Sequence, residues 1–166
     1  MEWTTERRYR RYEDWSNDEI KQIKEKMAKS PWHTRYHVEP KMGLLNDPNG
    51  FSYFDGKWIL FYQNFPFGAA HGLKSWVQLE SDDLVHFSET GVNVLPDTPL
   101  DSHGAYSGSA MQFGDNLFLF YTGNVRDENW IRHPYQIGAL LDKSGKITKI
   151  DKVLIDQPSD STDHFR

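Results

Sequence analysis

The sequence contains no cysteine, which excludes disulfides, thiol nucleophiles and metal centres built on thiolate. It has no Asn-x-Ser/Thr sequon. No apolar run approaches the roughly 18 residues of a membrane span, and no apolar stretch follows the N-terminal charges to form a secretory leader. Positive charge is also in short supply. The formal net charge is −5, whereas a nucleic-acid or anionic-membrane partner asks for clustered Lys and Arg. The local exception is Arg7, Arg8, Arg10 and Arg11, interleaved with Tyr9, Tyr12 and Trp15. An isolated basic patch in an acidic chain steers little, so this run is read as a solvated face. Together these absences predict a cytoplasmic protein with neither nucleic acid nor membrane as partner.

Signatures of other chemistries are missing as well. There is no Gly-x-Gly-x-x-Gly, P-loop lysine, Gly-x-Ser-x-Gly or His-Glu-x-x-His. His33 and His37 stand four apart, but Trp32, Tyr36 and Val38 around them suggest extended chain rather than a metal-binding helix. Asp47-x-Asn49 lacks the rest of a calcium loop. No metal or cofactor is therefore expected.

What the sequence does have is aromatic side chains, 14% of its 166 residues. That length fits one domain by the usual ~100–200 residues, and aromatic richness suits β-strands and sugar-stacking sites alike. One helix is predicted, over residues 16–29. Ser16 or Asn17 can cap it, Asp18 and Glu19 favour its positive end, Ile20, Ile23 and Met27 form one stripe, and Pro31 follows its close. From His33 onward the texture is β. Phe51–Phe54, an Asp55-Gly56 turn and Lys57–Gln63 read as a hairpin, followed by strands at Leu73–Leu79 and Leu84–Phe87. A second set comprises Ser107–Phe113, a Gly114-Asp115 turn, Asn116–Thr122, Tyr135–Leu141, a Ser144-Gly145 turn and Lys146–Ile150. The sets share a plan at an offset near sixty residues, joined by the Pro-containing loop Val94–Ser102. Repeated four-stranded antiparallel units favour propeller blades, although a sandwich also yields short strands with turns.

The most informative stretch is Leu44-Leu45-Asn46-Asp47-Pro48-Asn49-Gly50. Pro48 biases Asp47 toward an extended conformation, and Asn49-Gly50 is a strong turn signal. A carboxylate with hydrogen bonds to its charged form stays ionised and can act as a nucleophile. Every residue from Asn46 to Gly50 is also a turn former, and on local chemistry alone a plain turn is the better reading.

A resemblance changes that balance. Asn46–Gly50 resembles the Asn-Asp-Pro-Asn-Gly box of glycoside hydrolase family 32, the family of invertases, fructanases and sucrose-phosphate hydrolases. Further boxes match in order: Trp32–Met42, Phe61-Tyr62-Gln63, Lys74-Ser75-Trp76, Ser81–Phe87, Asp101–Ala110 and Tyr121–Asn124. The chain's last residues, Thr162–Arg166, resemble the approach to the family's Arg-Asp-Pro box. The resemblance covers residues 31–166 and implies an all-β fold. Specifically, it implies part of a five-bladed β-propeller, about the first two blades and the start of the third, behind a helical extension over residues 1–30. It implies a retaining β-fructofuranosidase in which Asp47 is the nucleophile, while Leu44, Leu45, Asn46, Gln63, Trp76, Tyr106, Ser107 and Arg166 bind the sugar. Leu44-Leu45, in place of the Trp-Met common in secreted members, favours the bacterial cytoplasmic kind and sucrose 6-phosphate over sucrose as substrate. Glu80, Asp82, Asp97 and Asp101 match no catalytic position and are expected on loops or strand ends. The general acid and a stabilising aspartate lie beyond Arg166 in the family, so residues 1–166 alone are expected to be inactive and, as an incomplete propeller, to self-associate. The alternatives are a fructan hydrolase of the same family, a related furanosidase acting on arabinose-containing chains, and a non-catalytic sugar-binding protein.

Overall fold

The computed structural model describes residues 2–162 with His164 and Phe165. Its elements in order are α1 (Thr5–Arg8), a short 3₁₀ turn (Tyr12–Asp14), α2 (Asn17–Ala28) and eight strands: β1 (Leu44–Phe54), β2 (Lys57–Phe65), β3 (Ser75–Ser81), β4 (Ser88–Val94), β5 (Ala105–Phe113), β6 (Asn116–Arg126), β7 (Arg132–Leu141) and β8 (Ile147–Lys149). The strands form two four-stranded sheets, ordered β1-β2-β3-β4 and β5-β6-β7-β8, and every neighbouring pair is antiparallel.

Local chemistry accounts for the predicted elements that appear. Ser16 caps α2 through a capping box, its side chain accepting from the Glu19 N–H while the Glu19 carboxylate accepts from the Ser16 N–H at 3.1 Å. Asp55 and Gly56 both take positive φ (49° and 80°), the geometry of a tight two-residue hairpin turn between Phe54 and Lys57.

Two predictions fail locally. Asn49-Gly50 is not a turn: β1 runs unbroken from Leu44 to Phe54, and Gly50, with φ +56°, makes a bulge between the Asn49–Phe61 and Ser52–Ile59 pairs. Leu84–Phe87 is not a strand. The Asp83 carboxylate accepts from the backbone N–H groups of Val85 (2.9 Å) and His86 (2.8 Å), curling this segment into a turn before β4.

The main core lies between the sheets. Phe54, Ile59, Phe61, Trp76 and Val94 of the first sheet meet Leu117, Leu119, Tyr121, Ile137, Ala139 and Leu141 of the second. A second core docks the N-terminal extension. Trp15 stacks on Phe67 at 4.2 Å between ring centres, beside Phe65, with Trp3, Tyr12, Ile20, Ile23 and Met42 around them. The basic run is consequently not the solvated face predicted. Arg10 lies 3.8 Å over the Trp15 ring and pairs with Glu19 at 2.6 Å, while Arg11 donates to the carbonyls of Pro96 (3.2 Å) and Ser102 (3.1 Å). Among the described residues no helix is long and apolar enough to cross a membrane.

Candidate active site

Each sheet begins with a strand that bulges near its start. β1 pairs Leu45 with Asn64 and then Pro48 with Tyr62, so Asn46 and Asp47 together face Gln63. β5 pairs Ala105 with Gly123 and then Gly108 with Tyr121, so Tyr106 and Ser107 together face Thr122. A two-against-one bulge re-aims side chains out of the regular alternation. Because β1 packs beside β5, the two bulges point Asp47 and Ser107 at each other.

The Ser107 hydroxyl donates to Asp47 Oδ2 at 2.8 Å. Gln63 Nε2 reaches the same carboxylate oxygen at 3.5 Å and the Ser107 hydroxyl at 3.1 Å. Buried Asn49 ties the strands together, donating to the Asp47 carbonyl at 2.8 Å and accepting from the Gly108 N–H at 2.9 Å. Gly108 is required there, since a β-carbon would stand 2.1 Å from the Phe120 carbonyl oxygen. Asp47 itself remains exposed. Donors converge on a carboxylate that solvent, and hence a small molecule, can reach, which is the arrangement a carboxylate nucleophile needs.

Cationic and aromatic groups surround this point. Buried Lys74 donates to Gln63 Oε1 at 3.4 Å and lies 5.4 Å from the Tyr106 ring centre, with the Arg132 guanidinium 5.5 Å from the same ring. Burial, with the Tyr9 hydroxyl beside it, pushes the Tyr106 phenol up. The nearby Lys74 charge, with burial, holds exposed His71 below the ordinary imidazole value, against an opposing pull from Asp47. Among the described residues no three His, Asp or Glu side chains gather into a metal-holding group.

Of the predicted residues, Asp47, Gln63 and Ser107 come together, and Tyr106 stands half-buried beside them. Asn46 shares the bulge, and its carboxamide oxygen is shut from solvent without a hydrogen-bond partner. Leu44 and Leu45 are half-buried on the approach to the bulge, where the Leu44 carbonyl accepts from Asn64 Nδ2 at 3.0 Å. Trp76 does not fit the role predicted for it. Its ring has no exposed surface, lying 5.4 Å from Phe61 and 5.6 Å from Tyr121, and its Nε1–H donates to the Tyr106 carbonyl at 2.9 Å. It is a core tryptophan that holds the second bulge from behind, not a wall against a sugar. Arg166 lies outside the described residues.

Glu80 falls within β3 and Asp82, Asp97 and Asp101 on connections. Fully buried Asp101 accepts from the Thr98 hydroxyl (2.7 Å), the Tyr121 hydroxyl (2.9 Å) and Lys149 Nζ (2.5 Å), knitting the inter-sheet loop to the second sheet. Sequence reasoning missed the roles of Asn49 and Lys74. The available signal for Lys74 was a lone cation in the apolar run Leu73-Lys74-Ser75-Trp76-Val77.

Residues 37–166 match the model for the glycosyl hydrolases family 32 N-terminal domain. The chain belongs to glycosyl hydrolase family 32. A sucrose-6-phosphate hydrolase of Streptococcus mutans is 72% identical over 159 residues, 96% of this chain and 33% of the relative. The solved sucrose-6-phosphate hydrolase of Lactobacillus gasseri superposes with a TM-score of 0.94 at 49% identity, covering 98% of this chain and 33% of that one. A Bombyx mori family 32 β-fructofuranosidase variant, solved in complex with sucrose, aligns at a TM-score of 0.69 and 27% identity over 88% of this chain and 32% of that one. This family 32 chain thus spans about a third of the length of the relatives it matches, and its two sheets belong to a β-propeller.

Proposed function

We propose that this chain is the nucleophile-bearing part of a retaining β-fructofuranosidase that hydrolyses sucrose 6-phosphate, or sucrose, in the cytoplasm. The observation that carries the reading is the Asp47 carboxylate, solvent-accessible yet held by Ser107 and Gln63 where two bulged strands meet, in a chain of family 32. Residues 1–30 form an extension, and residues 31–166 contribute the first two blades, with the start of a third, to a five-bladed propeller.

In this mechanism Asp47 attacks the anomeric carbon of the fructofuranosyl unit as a carboxylic acid from another blade protonates the departing glycosidic oxygen. Water then hydrolyses the resulting fructosyl ester, and configuration is retained. Such a pair of carboxyls stands about 5–5.5 Å apart, and the acid belongs to the remainder of the longer protein. Hydrogen bonds to Asp47 Oδ2 from Ser107 and Gln63 fix its line of attack. Half-buried Asn46 stands beside Asp47 in the bulge, and Tyr106 supplies an aromatic edge. Phe51, Tyr53, Met111 and Phe113, each more than half exposed, form the surface that further blades cover and through which residues 1–166 in isolation self-associate.

The test is to trap the intermediate. Full-length protein given a slow-deglycosylating fructosyl donor should carry one fructosyl mass on the peptide containing Asp47, and Asp47→Asn should abolish both label and turnover. Label on another residue would sink the assignment. Rates on sucrose, sucrose 6-phosphate and inulin decide the substrate, with sucrose 6-phosphate expected to lead. Residues 1–166 alone should turn over none of them, since loss of the acid by itself removes on the order of 10²–10⁴-fold.

A further inference from the structure

Lys74 is only 7% exposed, an unusual place for an ammonium group. Burying such a cation costs several kcal/mol unless its hydrogen bonds are satisfied, so a lysine kept there calls for a specific use. Its Nζ donates to Gln63 Oε1 at 3.4 Å. An ammonium carries three donors and no acceptor, so only the oxygen end of the Gln63 amide can face it. The Nε2 end is thereby turned toward Ser107 (3.1 Å) and Asp47 (3.5 Å). Were the amide reversed, its oxygen would confront a carboxylate.

The backbone at Lys74 is pinned on both sides. The preceding residue, Leu73, donates its N–H to the Arg8 carbonyl at 2.8 Å, and its own carbonyl accepts from the Tyr12 hydroxyl at 2.9 Å. The Lys74 carbonyl accepts from the Ala105 N–H, at the start of β5, at 2.9 Å. Residues Arg8 and Tyr12 precede the part matched by the family model, which starts at residue 37.

We infer that Lys74 is a positioning residue for the Asp47 centre, setting which end of the Gln63 amide faces the nucleophile, and that the N-terminal extension holds Lys74 in place to do so. The inference rests on the reading of Asp47 as nucleophile.

The experiment compares full-length wild type with Lys74→Met, Lys74→Gln and Lys74→Arg on sucrose and sucrose 6-phosphate. Lys74→Met should lower kcat on both sugars by on the order of 10²-fold, with KM moving less than about threefold, because misorientation rather than binding is at fault. Lys74→Arg, which keeps charge and donors, should recover much of the loss, and Lys74→Gln should fall between. A kcat within about twofold of wild type, or a defect confined to KM for sucrose 6-phosphate, would overturn the role, the second outcome making Lys74 a phosphate contact instead. A readout independent of turnover is the Gln63 side-chain NH2, whose two proton resonances should exchange slowly with solvent in wild type and should shift and exchange faster in Lys74→Met or Lys74→Gln. Unchanged resonances would also overturn it. If wild type hydrolyses neither sugar, the proposed function falls, while the resonances still decide whether Lys74 governs Gln63.

Discussion

The two sheets are built to one plan and do different jobs. Each opens with a strand bulged near its start, and the bulges fall sixty residues apart, at Asp47 and Ser107. The residue facing the bulge is Gln63 in the first sheet and Thr122 in the second. Gln63 reaches across to Asp47 and Ser107, whereas Thr122 turns within its own sheet to Gln136 at 3.3 Å. The sheets also close differently. The first is clamped by the N-terminal extension, through Leu73 and the Trp15–Phe67 stack. The second is extended by its own chain, with Leu154 donating to the Gln136 carbonyl at 2.8 Å. Repetition thus supplies two equivalent places to aim a side chain, and the site exists because unlike residues occupy them.

The sharpest way to break this comparison is to exchange the two bulge residues. In the full-length protein, Asp47→Ser combined with Ser107→Asp keeps one carboxylate and one hydroxyl but starts the carboxylate from the wrong strand. Turnover should fall about 10⁴-fold or more, as for loss of a nucleophile. Activity close to wild type would mean that the two bulges are interchangeable.

A milder pair separates the supporting roles. Ser107→Ala removes a hydrogen bond to a charged group, worth about 1.5–3 kcal/mol, and should lower kcat by roughly 10–100-fold. Thr122→Val, at a position that faces a bulge but bonds only within its sheet, should leave kcat within about twofold of wild type and cost about 1 kcal/mol of stability by denaturant unfolding. Equal kinetic effects from the two would erase the distinction drawn here.

The smallest expected effect concerns how each sheet is closed. The Arg10 guanidinium, with the Ser16 N–H, holds the Glu19 carboxyl down to about 2 from its ordinary 4.5. A carboxyl depressed on folding contributes stability that is fully present above its unfolded value and is lost as pH falls through the folded one. As pH falls from about 4.5 to 2, the protection of the Leu73 amide, whose partner is Arg8, relative to its intrinsic exchange rate should therefore fall, while protection at Leu154 in the second sheet changes less. Glu19→Gln should raise exchange at Leu73 already at neutral pH and flatten this response. Parallel behaviour at both amides would show that the extension does not clamp the first sheet selectively.

Much of this architecture is legible from local chemistry. The Asp55-Gly56 turn follows from two residues that tolerate positive φ, and α2 follows from the Ser16–Glu19 capping box, both decided within four residues. β4 is not legible. Ser88-Glu-Thr-Gly-Val-Asn-Val is largely polar, and it becomes a strand because β3 offers it an edge, whereas the more apolar Leu84–Phe87 is curled by the Asp83 carboxylate. Gly50 illustrates the same competition: its preference for positive φ was readable, but whether that φ makes a turn or a bulge depended on β2 continuing alongside.

The candidate site divides in the same way. The sequence by itself determined which groups the candidate site has to work with, the carboxylate, amides and hydroxyls of the Asn46–Gly50 box and the Tyr106-Ser107 pair, although local chemistry left the box a plain turn and only its family resemblance marked it out. Only the tertiary structure decided that Trp76 is interior, that Lys74 meets the Gln63 amide, and that the Ser107 hydroxyl bonds Asp47 across sixty residues. Those relations depend on strand register and on two bulged strands packing side by side, and no local pattern encodes a distance between residues that approach one another only when the sheets pack.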